Sequence, residues 1–430
     1  DNFFEIGGDS ILSLQIVARA RKAGLMVTPK QIFEAPEIAQ LAKLAGGEAS
    51  VAPAPVAMEG EIPLTPIQRL FFERQGGENH WNQSVLLKVR GVLDVAALGR
   101  AIDAVVERHD ALRLRFMGAC DDDWHQWLLA HEKAPVLEVI DLKGAADWTA
   151  ALTREGERLQ RSLDLELGRL MRVGYFQIAQ DEGRLLLAIH HLAVDGVSWR
   201  VLFEDLPEAY DQAERGEAIV LPEISTPWSV WATKLADYAG SPTVTGELGW
   251  WKQRLAEASD ALPLEGDGDT RTGAGRSVGM ELDRQTTRKL LQEVPRAYRM
   301  RIDEVLLTAL CQTIAEWSGK DGALIHLEGH GREDVIEGVD LSRTIGWFTT
   351  LFPVWLPAHA EAGPALIGVK ETLRTIPAKG LHWGLIRHGT DERLRAEAAA
   401  LPVPRISFNY LGQFDQSLRP EGRFGFAGEA

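Results

Sequence analysis

The chain has 430 residues, 45% hydrophobic and 25% charged, a composition that suits a globular protein long enough for two or three domains with cores of their own. Its formal net charge of −16 argues against nucleic acid or an anionic membrane surface as the main partner. Cys120 and Cys311 are the only cysteines and fall outside any CxxC spacing, and neither an apolar run of about 18 residues nor a signal peptide occurs, so a reduced, cytoplasmic protein is the simplest expectation.

The chain opens abruptly on DNFF, as expected of a piece cut from a longer polypeptide. Residues 1–47 read as a small helical unit. In GGDSILSLQIVARARKAG, Ile11, Leu14 and Val17 share one helical face before Gly24 ends it, so Ser10 sits at a helix start. Free N–H groups and the helix dipole favour a phosphate there, although most serines in this setting are simple N-caps. Thr28 precedes Pro29 and stands three residues before Gln31, a capping-box pattern. Another short helix is expected from Pro36 to near Gly46. DNFFEIGGDSILSLQ resembles the phosphopantetheine attachment motif of peptidyl carrier proteins. The resemblance implies that Ser10 carries 4′-phosphopantetheine, with an acyl group held on its thiol as a thioester, and that the first helix of the carrier is missing. Carriers that work with epimerization domains tend to read GGDS, so Asp9 leans that way.

Residues 48–61 are rich in Ala and Pro and read as a linker, a tether that raises the effective concentration of the carrier at its target. From Ile62 an α/β pattern begins. Helices are expected at IQRLFFERQ and, capped by Asp94, at VAALGRAIDAVVERHD, with Ala97, Ile102, Val105 and Val106 as core candidates. A further helix is expected near 148–161, and strands at NQSVLLKV and over 111–116, 136–140 and 171–178.

LLLAIHHLAVDGVSW, residues 185–199, follows. Its apolar run 185–189 reads as a strand buried on both faces and closed by His190 and His191. Side chains alternate along a strand, so one histidine faces a given cavity and the other supports it, and parity leaves the choice open. Asp195 and Gly196 form a turn before helical spacing resumes at Val197, Val201 and Leu202. A packed, hydrogen-bonded His pair is the plain structural reading, and zinc-ligand spacing is absent. HHLAVDG, however, fits the HHxxxDG motif of the chloramphenicol-acetyltransferase-like superfamily, which includes the condensation and epimerization domains of nonribosomal peptide synthetases. The resemblance implies that His191 faces the active-site tunnel, with His190, Asp195 and Gly196 supporting it. IPLTPIQRLFFE and HWNQS resemble the first epimerization motif.

A second lobe is expected over residues 226–430, after a first over 62–225. Trp228, Trp231, Trp250 and Trp251 read as core or lobe-interface aromatics. A Gly-rich loop over 260–276, strands over 278–282 and 323–327, and helices over 285–293 and 304–317 complete its first part. In ALIHLEGHGRE, Glu328 follows an apolar strand, where a carboxylate is costly unless it is paired, hydrogen-bonded or protonated. A structural salt bridge with Arg332 or Arg343 is the alternative to a functional role. EGHGRE is similar to an epimerization-domain motif whose first Glu is catalytic. SRTIGWFTTLFPV, PAKGLHWG and RISFNYLGQFD resemble later motifs in family order, the last placing Asn409 and Tyr410 in the site. PAKGLHWG carries Trp383 where the family commonly has Tyr, and the family continues beyond the FGFAGEA that ends this chain.

The resemblance implies a partial helical carrier followed by a two-lobed α/β, chloramphenicol-acetyltransferase-like domain with a tunnel between the lobes. Its implied activity is epimerization of a carrier-bound aminoacyl or peptidyl thioester, with His191 and Glu328 as the acid/base pair and neither metal nor pyridoxal phosphate. A condensation domain and a silent docking module are the competing readings. Implied partners are the loaded carrier, neighbouring adenylation and condensation domains, and a phosphopantetheinyl transferase.

Overall fold

The computed structural model describes residues 2–3, 8, 12–13, 16–17, 19–20, 23–25, 27–45, 57–118, 123–131, 136–259, 262–263, 275–412, 418 and 422–429. Ser10, most of the expected Gly-rich loop and the QFD end of FNYLGQFD, after Gly412, lie outside the described residues. The chain divides into two compact units. One comprises Asp1–Ala49, Pro242–Gly329 and Thr350–Tyr410, the other Ser50–Ser241, His330–Thr349 and Leu411–Ala430.

In the N-terminal segment, residues 12–13, 16–17 and 19–20 are helical, and helices Pro29–Glu34 and Ile38–Leu44 follow. The capping box at Thr28 is present: Gln31 N donates to Thr28 Oγ1 at 3.2 Å, and Thr28 N donates to Gln31 Oε1 at 2.9 Å. Val17, Val27 and Ile32 form the small core of this segment.

The unit that contains Ser50–Ser241 is built on two sheets. A three-stranded antiparallel sheet has the order β1 (Gly60–Ile62), β4 (Trp124–Leu128), β3 (Leu114–Gly118). A five-stranded sheet has the order β11 (Phe424–Phe426), β2 (Asn82–Arg90), β7 (Glu182–His190), β6 (Met171–Gln177), β5 (Leu137–Asp141). Its pairs are antiparallel except β5 with β6. Asp94 caps helix Val95–Arg108 by accepting from Ala96 N and Ala97 N at 2.8 and 3.0 Å. That helix buries Ala97, Leu98, Ala101, Ile102, Val105 and Val106, the face its 3.6-residue period sets out. Leu152 and Leu159 of helix Trp148–Gln160 pack with Phe176 and Leu186.

In the other unit, β8 (Gly322–Gly329) lies between β10 (Ser407–Phe408), which runs parallel to it, and β9 (Thr350–Pro357), which runs antiparallel. Helices Ile302–Ser318, Ala362–Arg374 and Leu381–His388 accompany this sheet. Trp251 is 1% exposed in this unit, and Trp228 and Trp231 are 0% and 2% exposed in the other, so all three serve as core.

Three expectations need correction. Residues 110–113 form a 3₁₀ turn, and the strand begins only at Leu114. The reason is Asp110, whose carboxylate accepts from Trp228 N, Ser229 N and Ser229 Oγ, each at 2.9 Å, and so holds the backbone in a turn. Residues 278–282 form no strand with any of the described residues, with Val278 96% and Met280 87% exposed, because alternation alone supplies no neighbouring strand. The helix expected at 285–293 is α-helical over Arg284–Arg288, widens to a π turn over Lys289–Glu293, and resumes as Val294–Tyr298. Pro295 cannot donate into that ladder, and its ring needs room there. Strands β1, β4, β9, β10 and β11 have no counterpart among the expected strands. Pro353 within TLFPVWLP argues against a strand, and it is tolerated because β9 is an edge strand.

Candidate active site

The site in the first of the two sheeted units starts from β7, buried from Gly183 to His190. His190 is fully buried. Its Nε2–H donates to the Glu78 carbonyl at 3.0 Å, its Nδ1 accepts from Leu192 N at 3.2 Å, and Phe71 meets the ring edge-on at 5.7 Å. Both ring nitrogens are thereby used, and burial pushes its pKa down to about 4. His190 is thus a neutral structural group.

His191 opens a 3₁₀ turn, with its backbone N–H on the Trp81 carbonyl at 2.9 Å. Its Nδ1 lies 2.8 Å from the Val194 carbonyl, which can only accept, so Nδ1 carries the hydrogen and the lone pair is at Nε2. That lone pair faces Gln83 Nε2 at 3.0 Å. Trp347 covers the ring, with centroids 4.3 Å apart. Burial lowers the His191 pKa, while hydrogen bonding to the backbone and the charge of Asp195 oppose that shift. The ring is therefore a neutral imidazole with a directed lone pair, the form a general base requires.

Asp195 caps helix Gly196–Glu214: its Oδ1 accepts from Ser198 N and Ser198 Oγ, both at 2.7 Å. It also pairs with Arg332 Nη2, 3.1 Å from Oδ1 and 3.3 Å from Oδ2, and its Oδ2 accepts from Phe348 N at 3.2 Å. Arg332 is buried. Its Nη1 donates to the carbonyls of Leu341 and Thr344 at 2.9 and 2.6 Å, and its guanidinium lies 3.8 Å from the centroid of the Phe348 ring. Segment His330–Thr349 is thus fastened to the turn that follows the two histidines. Ser198 Oγ in turn accepts from Gly346 N at 3.1 Å. A Cβ on Gly346 would stand 2.1 Å from Trp228, so only glycine fits there. Gly196 is the first residue of the capped helix.

In the other unit, Glu328 is the penultimate residue of β8. It retains exposed surface, yet desolvation by the surrounding protein raises its carboxyl above the ordinary value. Among the described residues, the Glu328 carboxyl has no hydrogen-bond or ion-pair partner. Arg332 is held by Asp195, and Arg343 by Glu204 at 2.9 Å and by Asp205. β10 pairs with β8 through Ser407↔His326 and Phe408↔Leu327, so exposed Asn409 and half-buried Tyr410 leave the sheet beside the end of the strand that carries Glu328. Trp383 is buried, with its ring centroid 5.0 Å from that of Trp251, so its indole is a packing group.

Each unit therefore gathers its own set: His190, His191, Asp195 and Gly196 in one, and Glu328, Asn409 and Tyr410 in the other. Sequence reasoning missed Gln83, Trp199, Trp347 and Arg332 as parts of the first set. The available signal was the polar HWNQS stretch at the start of β2, which carries Gln83. Among the described residues, no group of three or more His, Cys, Asp or Glu side chains could hold a metal, and no helix is long and apolar enough to cross a membrane.

The condensation domain family matches residues 58–425, and the phosphopantetheine attachment site family matches residues 1–45. One polypeptide of the linear gramicidin synthase of Brevibacillus parabrevis is 44% identical over 99% of this chain and 8% of its own length. Surfactin synthase subunit 1 of Bacillus subtilis (strain 168) is 40% identical over 97% of this chain and 12% of its length, and gramicidin S synthase 1 of Brevibacillus brevis is 36% identical over 98% of this chain and 39% of its length. The chain thus spans well under half the length of each of these relatives. The crystal structure of the epimerization domain from the third module of tyrocidine synthetase B superposes with a TM-score of 0.78 at 36% identity, covering 86% of this chain and 84% of that one. The attachment-site match indicates covalently bound 4′-phosphopantetheine. A serine hydroxyl suits the phosphodiester. Ser13 is helical and only 1% exposed, and Ser10 lies outside the described residues. The chain belongs to the condensation domain family of nonribosomal peptide synthetases, with a phosphopantetheine attachment domain ahead of it.

Proposed function

We propose that the chain inverts the α-carbon of an aminoacyl or peptidyl group held as a thioester on a pantetheine arm at Ser10, as the likeness to an epimerization domain suggests. On this reading, residues 1–47 are the carrier, 48–61 its tether, and 62–225 and 226–430 the two lobes of the epimerizing domain. The bound arm supplies a thioester whose α-hydrogen is more acidic than that of an amide. That hydrogen is still weakly acidic, so a base needs help from donors to the thioester oxygen as charge develops there.

His191 takes or returns one proton through Nε2. Glu328 serves the opposite face of the same α-carbon, and the direction depends on the starting configuration. Asn409 and Tyr410 orient the thioester or donate to its oxygen. His190, Asp195 and Gly196 hold the His191 turn. The observation that carries this reading is Glu328, a carboxyl with a raised pKa and no partner among the described residues. Inversion requires a second proton carrier, whereas amide formation with one general base does not. Neighbouring adenylation and condensation domains and a phosphopantetheinyl transferase complete the proposed setting.

The test is α-deuterium wash-in from D₂O on the loaded full chain. His191→Ala and Glu328→Gln should each lower exchange by about 10²–10⁴-fold, the range that general acid–base catalysis contributes. Undiminished exchange in both variants would defeat the assignment. Peptide-bond formation is the second reading, favoured by the condensation domain family match. Amide product from donor and acceptor carriers without α-exchange would establish it instead.

A further inference from the structure

The amide of Gln83 can be oriented without ambiguity. The indole N–H of Trp199 can only donate, and it lies 2.7 Å from one end of the amide, so that end is the oxygen. The opposite end, the NH₂, then faces His191 Nε2 at 3.0 Å. On the far side of the imidazole, Nδ1–H is held by the Val194 carbonyl at 2.8 Å. The result is one directional relay: Trp199 N–H to Gln83 Oε1, Gln83 N–H to His191 Nε2, and His191 Nδ1–H to Val194 O. Trp199 is 3% exposed and Gln83 is half-buried, so solvent competes weakly for these bonds.

The register explains how these residues meet. Asn82 pairs with His190, so Gln83 on β2 is next to the end of β7, and Trp199 is the fourth residue of helix Gly196–Glu214. Every link is intramolecular, and none requires a ligand.

We propose that Gln83, oriented by Trp199, is a positioning residue that locks His191 in the Nδ1–H tautomer and shields its Nε2 lone pair until a substrate displaces the amide. This deepens the reading of His191 as a proton carrier and rests on it. A donor aimed at the lone pair stabilises the neutral ring, so the lock keeps the imidazole unprotonated before substrate arrives. Bifurcation or withdrawal of the Gln83 N–H frees the lone pair for the α-proton, while Val194 continues to hold Nδ1–H. The ionisable groups next to His191 in this unit are His190, buried and neutral, and Asp195, which is engaged by Arg332. Neither can select a tautomer, because the hydrogen bonds of both are made elsewhere.

The experiment is ¹⁵N NMR of the histidine side chains in the full chain, with the His191 resonances identified as those lost in His191→Asn. The expected wild-type spectrum has a protonated Nδ1 and a lone-pair Nε2 whose resonance is moved toward the protonated range by its hydrogen bond. In Gln83→Met, Nε2 should move to the free lone-pair position and the pH at which His191 titrates should rise. In Gln83→Glu, His191 should be an imidazolium at pH values where the wild-type ring is neutral, because a carboxylate accepts from a protonated Nε2. In Trp199→Phe the amide can turn over, so an Nε2–H population should appear. An Nε2–H tautomer in the wild-type chain would overturn the proposal, as would unchanged His191 signals in the Gln83 and Trp199 variants. The spectrum requires no turnover. A chain that exchanges no α-hydrogen would defeat the epimerization reading and leave the lock standing, and a wrong tautomer would defeat the lock alone.

Discussion

Replacing Arg332 with Met should destabilise the unit that carries His191 far more than a typical substitution does. The guanidinium is fully buried and is the cationic partner of the buried Asp195 carboxylate. Removing one member of such a pair costs about 3–5 kcal/mol, because the other charge stays buried. Two further acceptors, the carbonyls of Leu341 and Thr344, lose the donor they share, each a loss of about 1 kcal/mol or more. Some of the Asp195 charge is still met by Ser198 N, Ser198 Oγ and Phe348 N, which offsets part of the sum. The expected loss is about 4 kcal/mol. Denaturant unfolding followed by tryptophan fluorescence reads it, since Trp199, Trp228 and Trp347 report on this unit. Adding Asp195→Asn removes the stranded charge and should recover about 2 kcal/mol, a coupling of the size expected between contacting residues. A loss below about 1 kcal/mol for Arg332→Met, with no recovery in the double variant, would refute the role given to this pair.

Other substitutions test the surrounding chemistry. The His190 pKa is pushed down to about 4 by burial, so the unfolded chain binds the proton more tightly and stability is lost as pH falls from about 6.5 toward 4. At about 1.4 kcal/mol per unit this limb amounts to roughly 3 kcal/mol, and His190→Asn should flatten it in pH-dependent unfolding. Glu328 behaves oppositely: its raised pKa gives a contribution that is present at low pH and lost as pH rises through the folded value, so Glu328→Gln should stabilise the chain at neutral pH and not near pH 4. Thermal melts at the two pH values check the sign. Gly346→Ala would put a Cβ 2.1 Å from Trp228 and should cost about 1–3 kcal/mol in the same unfolding assay.

Much of this architecture was legible because it depends on local chemistry. The caps at Thr28 and Asp94 and the buried face of helix Val95–Arg108 follow from side-chain type and spacing alone. The apolar run ending at His190 likewise announced a buried strand. The limits of legibility are physical as well. Alternation over 278–282 described a strand but supplied no pairing neighbour, and Asp110 bent its own segment through contacts with residues more than a hundred positions away. Parity separated His190 from His191 without ranking them. Their difference in the structure comes from Glu78 and Leu192, which saturate one ring, and from Gln83 and Val194, which orient the other. No periodicity could have joined Gln83 to Trp199, since their meeting depends on the β2–β7 register and on the helix that follows. Arg332 stands in the same EGHGRE stretch as Glu328, yet its partner is Asp195 of the histidine motif, a link that only the tertiary fold supplies.

The most direct test of the central claim is the α-hydrogen of a single defined aminoacyl group on Ser10 of the full chain, followed in D₂O by mass and chiral analysis of the released amino acid. The account predicts that deuterium enters at the α-carbon and that both configurations accumulate, with each change lost in His191→Ala and Glu328→Gln. Retention of the starting configuration without deuterium, on a carrier shown to be loaded, would contradict it.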